Sequence, residues 1–297
     1  MFKTTNLTNT ESVSLSKEIA LVGVQDTPLM SLLMAKGRVE KSNGKIHTWR
    51  ERSFDTTSDI SQVEGSETTV FQESGRAELN NVCEIFKKAA SVSGSVSAIS
   101  VPGQPNIFAA EINDRLIETK VAIEKALMGG VRNDGSASPY IRRMDGLSKW
   151  VDTANKVTGE TANVISEKEI KDTVRKLWAQ GLATGEYFAI VNADLKEQID
   201  ELYKGSYRYI AQENVFGLTV DKLRTNYGDV NFILSRHQDA TKMHIFDVNY
   251  LSLAFLREPL FEALAKTGDS VKGHVLAELT LKVGSKKAVA EYSLKTS

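Results

Sequence analysis

From Asp55 to Ser74 the chain is rich in Ser, Thr and Glu and holds few large apolar residues, yet strand-like sequence flanks it on both sides. So long a polar run inside a compact domain is uncommon unless it is disordered or binds something. Before it, Lys45-Ile46-His47-Thr48-Trp49-Arg50-Glu51 reads as a strand; after it, residues 79–101 alternate in the β manner around Val82, Ile85 and Phe86. Together they predict a long hairpin reaching out from a body. Whatever the body is, it must hold the base of that hairpin and leave its end to other contacts.

The body mixes helices and strands. Leu15, Ile19 and Val22 recur at helical spacing in a Thr/Asn/Ser-rich opening, and Asp26-Thr27-Pro28 starts a second short helix carrying Leu29, Leu32 and Leu33 that stops at Gly37. Beyond Pro102 and Pro105, Ile112, Leu116, Val121, Ile123 and Leu127 form the apolar stripe of the strongest helix. Glu111 and Arg115 lie one turn apart on its other face, and Gly129-Gly130 ends it. At roughly 23 residues and 1.5 Å per residue this helix spans about 35 Å, a structural spine.

Ser166-Glu167-Lys168-Glu169 is a capping box for a helix with Ile170, Val174, Leu177 and Trp178 on one face and Gly181 beyond its end. Tyr187 to Val191 reads as a buried strand, after which Asn192 caps a helix with Leu195, Ile199 and Leu202. Phe216, Leu218 and Val220 alternate, as do Val230, Phe232 and Leu234, predicting a hairpin about Tyr227-Gly228-Asp229. Val275 to Val283, Gly284-Ser285 and Ala288 to Leu294 predict a second hairpin, with a type II′ turn. The order is that of an α+β chain without internal repeats.

Charge and cysteine content remove several function classes. Thirty-seven Lys and Arg oppose 38 Asp and Glu, so there is no global basic field for nucleic acid or an anionic membrane. Cys83 is the only cysteine, which rules out an intramolecular disulfide and a zinc site built on several cysteines. No run of 18 apolar residues occurs, and the first ten residues lack the apolar core of a signal peptide. The expectation is a protein that is neither membrane-spanning nor exported by a standard signal, with Asn6-Leu7-Thr8 unglycosylated.

Catalytic motifs fail one by one. Gly268 to Gly273 has the four-residue gap of a phosphate loop, but His274 stands where Lys then Ser or Thr is needed. Ser14-Leu15-Ser16-Lys17 and Lys266-Thr267-Gly268 imitate two of three penicillin-recognising motifs; the third stops at Ser58-Asp59. His237, Asp239, His244 and Asp247 suggest a metal cluster, yet His244 and Asp247 sit in an apparent strand whose alternate residues face opposite sides. The four histidines are therefore expected at the surface or at interfaces. Trp49, Trp150 and Trp178 are scattered in sequence and predict no stacking platform for bases. The reading is a non-enzyme with no cofactor and no metal.

What remains, taken in order along the chain, resembles a family of tailed-phage major capsid proteins. The resemblance is carried by Asp26-Thr27-Pro28-Leu29, the strand with Trp49, Val63-Glu64-Gly65, Val92-Ser93-Gly94, the spine helix, and Arg142-Arg143-Met144-Asp145-Gly146-Leu147. It continues through Leu177-Trp178 with Gly181, Thr225-Asn226-Tyr227-Gly228, Lys266-Thr267-Gly268-Asp269-Ser270 and Glu278-Leu279-Thr280-Leu281. Each motif alone is common; their collinearity over nearly the whole chain is specific.

The resemblance implies the Hong Kong 97-type fold. An N-terminal arm falls at 1–37, an extended loop with its base at 38–90, a peripheral domain at 91–150 and 240–297, and an axial domain at 151–239. It implies an icosahedral shell of pentamers and hexamers around double-stranded DNA in a virion, made in the bacterial cytoplasm. Portal, decoration or scaffolding proteins are its other expected partners, and no scaffolding segment is seen in the short arm. A cellular nanocompartment shell of the same fold is the alternative. Such a subunit needs no catalytic residue, suits a near-neutral charge, and uses segments that order only against neighbours; residues 1–25 and 53–76 are expected to be of that kind.

Charge suggests where the extended loop docks. Residues 36–52 hold six basic against two acidic groups, and 53–78 hold six acidic groups against Arg76. After the spine helix Arg132, Arg142, Arg143 and Lys149 outnumber Asp134 and Asp145. Expected assembly contacts are therefore Trp49, Glu64, Glu67, Arg142 and Arg143, the acidic tip of one copy lying over the basic region of the next.

Overall fold

The computed structural model describes residues 26–69, 71–98, 107–181, 186–203, 221–266 and 268–296. The expected helix with Leu15, the serine-lysine motif at 14–17 and the strand at 216–220 lie outside these residues. The chain divides into two compact units; the larger holds Asp26–Ile85, Ile123–Glu258 and the chain from Glu278, and the smaller holds Phe86–Ala122 and Pro259–Ala277.

The larger unit is built on a six-stranded mixed sheet. Its strands are β7 (Lys156–Ala162), β8 (Glu186–Val191), β9 (Asp221–Thr225), β10 (Gly228–Leu234), β11 (Lys242–Phe246) and β14 (Val289–Lys295), in the order β7-β14-β11-β8-β10-β9. Helices α4 (Glu167–Ala179) and α5 (Ala193–Tyr203) bury Ile170, Val174, Leu177, Leu195 and Ile199 with the sheet's Tyr187, Val230, Phe232, Ile245 and Tyr292. The capping box is present: the Ser166 hydroxyl accepts from Glu169 N, and the Glu169 carboxylate accepts from Ser166 N at 2.8 Å. Glu169 also accepts from Glu160 N at 2.7 Å and the Tyr292 hydroxyl at 3.0 Å, so one carboxylate caps the helix and ties it to two strands. Burial alone would raise its pKa, but these donors hold it below the ordinary value.

Three expectations are corrected here. Trp178 lies one residue, about 100° of helix, past the buried row; it is exposed and packs beside Tyr227 at 5.6 Å between ring centroids. The first hairpin pairs β9 with β10, and its turn comes earlier than expected, with Thr225 Oγ1 accepting from Tyr227 N and donating to Gly228 O. The C-terminal hairpin does not form. β13 (Ser270–Val283) and β14 belong to different sheets, because the chain turns through residues 286–288 under the hydroxyl of Ser285 and the amide of Asn155, which donates to Lys287 O and Val289 O.

His244 is interior rather than superficial: it is buried on β11 with Nε2 3.1 Å from Glu291 Oε2 and Nδ1 beside Gln238. Burial would raise the Glu291 carboxyl, but His244, Lys242 and Lys156 outweigh it and bring its pKa down to about 2. A depressed carboxylate pKa stabilises the fold above its unfolded value of 4.5, and that stability is lost as pH falls towards 2. Acidification from pH 5 to 2 therefore costs this sheet about 3 kcal/mol through Glu291, and Glu291→Gln removes that part of the acid dependence in urea melts. An unchanged acid profile in the glutamine variant contradicts it.

The remaining part of the larger unit begins with α1 (Pro28–Ala35), ended by Gly37 at φ +66°, and β1 (Val39–Lys41), which runs parallel to β12 (Leu251–Leu264) with Val39 opposite Leu253. β2 (Ile46–Ser53) and β3 (Gly75–Val82) form the expected hairpin. The return arm ends at Cys83, however, and β4 (Glu84–Ser93) joins a four-stranded sheet of order β1-β12-β13-β4.

The spine helix, α3 (Ile107–Gly129), is 23 residues long as its stripe predicts, and α2 (Gly94–Ala98) precedes it. In the smaller unit Arg115 of α3 bonds Glu111 at 3.2 Å and Glu118 at 2.8 Å, Lys88 meets Glu118 at 3.0 Å, and Phe108 meets Phe261 edge-on at 6.0 Å. Among the described residues no helix is long and apolar enough to cross a membrane.

Candidate subunit interface

Eight consecutive pairs zip β2 to β3, from Ile46 opposite Val82 to Ser53 opposite Gly75. The base of this ladder is bolted down by Asn81, which is fully buried. Its amide donates to Asp145 O at 3.0 Å and Leu281 O at 2.8 Å, while its Oδ1 accepts from Asp145 N and Val82 N, both at 2.9 Å. Arg132 adds a bond of 2.7 Å to Asn80 Oδ1, and its backbone N–H donates to Asp145 Oδ1. These contacts fix the position of the two strands at one end.

The other end is free of such contacts. Every described residue from Arg52 to Glu78 is exposed. Within that span Asp55 accepts from the Ser58 hydroxyl and from the backbone N–H groups of Thr57 and Ser58, which hold its carboxyl well below the usual range. Asp59 does the same with Ser61 N. The loop therefore stays acidic, and Glu64 and Glu67 are exposed on it. It also carries Phe54, Ile60, Val63 and Phe71, each 70–85% exposed. Sequence reasoning assigned none of these four to a contact, although large apolar residues in an otherwise polar run are themselves the signal. An exposed apolar group rimmed by charge marks an interaction surface.

The other expected contact residues are placed differently from one another. Trp49 is buried against Trp150, with ring centroids 5.3 Å apart, so the two indoles that looked scattered form part of the larger unit's own interior. Arg142 is bonded to the buried carboxylate of Glu278, which Arg257 also binds at 2.9 Å. It is already paired within the chain, and Nη1 of Arg132 is bonded to Asn80. Arg143 and Lys149 are exposed, and they keep the region basic.

His47 lies 3.2 Å from Glu40, which Lys282 also binds, and His274 lies 3.2 Å from Glu262. Among the described residues no group of three or more His, Cys, Asp or Glu could hold a metal ion. The cavity lined by Arg38, Glu40, Asn249 and Lys282 has its charged groups already paired, Lys282 with Glu40 and Arg38 with Asn249.

A long helix, a mixed sheet with two helices, and an anchored hairpin with an exposed loop together define a capsid subunit fold, and known structures agree. The cyanophage A-1(L) capsid superposes with a TM-score of 0.70 at 11% identity, over 99% of each chain. The capsid of a native GTA particle gives 0.64 at 12% identity over 96% of this chain and 95% of the other. The SrpI encapsulin of Synechococcus elongatus gives 0.62 at 11% identity over 94% and 92%. Residues 3–295 match the SU10 major capsid protein family, and the chain belongs to that family. No curated protein matches its sequence.

Proposed function

We propose that copies of this chain build the closed shell of a tailed phage, in pentamers and hexamers, around a double-stranded DNA genome. Membership of a phage major capsid family supports the role. The observation that carries the assembly mode is the loop from Arg52 to Glu78, which has an anchored base and whose described residues are all exposed. On this reading 1–37 is an arm, 38–90 the extended loop and its base, 91–150 with 240–297 the peripheral domain and 151–239 the axial domain of a Hong Kong 97-type subunit.

The acidic tip then lies on a neighbouring copy, and the exposed Arg143 and Lys149 are better suited as its partners than the internally paired Arg142. A single exposed ion pair contributes only about 0.2–1 kcal/mol, but the contact recurs at every subunit. Reversing Glu64 and Glu67 to Lys is expected to reduce the yield of shells in electron micrographs, and adding Arg143→Glu with Lys149→Glu to restore part of it. A combined variant that assembles no better than the loop variant excludes this docking partner.

The encapsulin likeness favours a second reading, a shell around cargo protein in a cell. Particles purified from their natural source separate the two: packaged DNA supports the phage capsid, and an enclosed enzyme without DNA supports the compartment.

A further inference from the structure

Glu124 on α3 is completely buried, and its two oxygens accept the backbone N–H groups of Leu29 at 2.8 Å and Met30 at 2.9 Å. These are the second and third residues of α1, whose amides have no partner inside the helix. Thr27, at the cap position, makes no side-chain bond to them. The carboxylate therefore performs the capping from 94 and 95 residues away in sequence.

Helix α1 contains no ionisable side chain. The charged and titratable groups on the elements that meet here are Lys120 and Lys125 of α3, Asp26 before α1, and Arg236 and His237 after β10. Lys120 and Lys125 are exposed, Arg236 is taken up by Asp26 at 3.8 Å, and among the described residues none forms an ion pair with Glu124.

We propose that Glu124 is a proton-operated latch that sets how firmly α1 docks on the spine helix. The charged carboxylate satisfies both amides but lies in the interior without a cation; the acid form avoids that cost while keeping one carbonyl oxygen for the amides. Neither form satisfies everything, which is the condition for two states close in free energy. Burial raises the carboxyl to about 7 against the opposing pull of the Met30 and Leu29 amides.

A carboxyl raised in the folded state contributes stability that is complete below its unfolded value of 4.5 and is lost as pH rises through 7. Docking is thus tighter in mild acid and looser in mild alkali. His237 acts with the opposite sign, since burial pushes its pKa below the ordinary value and protonation in acid weakens the fold there.

Hydrogen exchange on the intact chain tests this, after correction for the intrinsic pH dependence of exchange. Protection of the amides from Leu29 to Leu33 is expected to fall roughly 30-fold between pH 5.5 and 8, as a carboxyl shifted from 4.5 to about 7 requires. Amides of α4, which is tied to β7 and β14 through Glu169, serve as the reference and stay constant. In Glu124→Gln, neutral at every pH, the α1 profile becomes flat. The wild-type profile decides even if the variant fails to fold: a change of less than threefold, or protection that falls on acidification as His237 would cause, overturns the latch. A glutamine variant that keeps the wild-type slope overturns it too.

Discussion

Replacing Asn81 by alanine is expected to cost the chain about 3–5 kcal/mol, the largest loss of any single polar side chain at the hairpin base. The side chain is fully buried and satisfies two carbonyls and two backbone N–H groups at once. A buried polar group left without a partner costs about 1–3 kcal/mol, and the four share one site, so their losses do not simply add. Asn81→Asp separates bonding from packing. It keeps acceptors for Asp145 N and Val82 N but sets a carboxylate against the carbonyls of Asp145 and Leu281, and is expected to be at least as damaging. Urea unfolding of the dissociated subunit measures both. A cost under 1 kcal/mol for the alanine variant means that those groups find other partners and that Asn81 is not the anchor. With the anchor lost, β2 and β3 still pair with each other, so subunits fold but present their loops at no fixed angle.

That anchor shows which parts of the fold a sequence can disclose. The spine helix and the Ser166–Glu169 capping box were legible because their determinants lie within one or two turns of chain. The C-terminal hairpin was misread for the same reason. Gly284-Ser285 between two alternating runs is a good local turn signal, but the decision to change sheets is taken by Asn155, whose amide holds Lys287 O and Val289 O from 132 and 134 residues away. Trp49 and Trp150 looked unrelated, since nothing local says that two indoles about a hundred residues apart will meet.

The candidate interface divides in the same way. Net charge along the loop was readable, and the loop's full exposure agrees with its polar composition. Which basic groups are paired within the chain was not readable, because Arg142 bonds Glu278 across 136 residues. Counting charges finds a field; only the fold shows which of them are already engaged.

The second large effect is expected from four apolar residues of the loop. Changing Phe54, Ile60, Val63 and Phe71 together to serine should leave the stability of the isolated subunit within about 0.5 kcal/mol of wild type, because each is largely exposed there already and the contact of Arg52 with the Phe54 ring is itself at the surface. Shell formation should nevertheless fail. Burying one such side chain against a neighbour contributes about 1.5–3 kcal/mol. An exposed ion pair holding the loop contributes only about 0.2–1 kcal/mol. The apolar groups must supply most of what holds it, with the acidic residues selecting where it lands.

Phe71→Ser by itself should raise the protein concentration at which shells appear by about tenfold or more, since 1.4 kcal/mol corresponds to a factor of ten. Light scattering against concentration reads this directly. If the fourfold variant assembles at the wild-type threshold, the loop's apolar side chains stay in solvent in the shell. Assembly must then rest on other surfaces of the subunit.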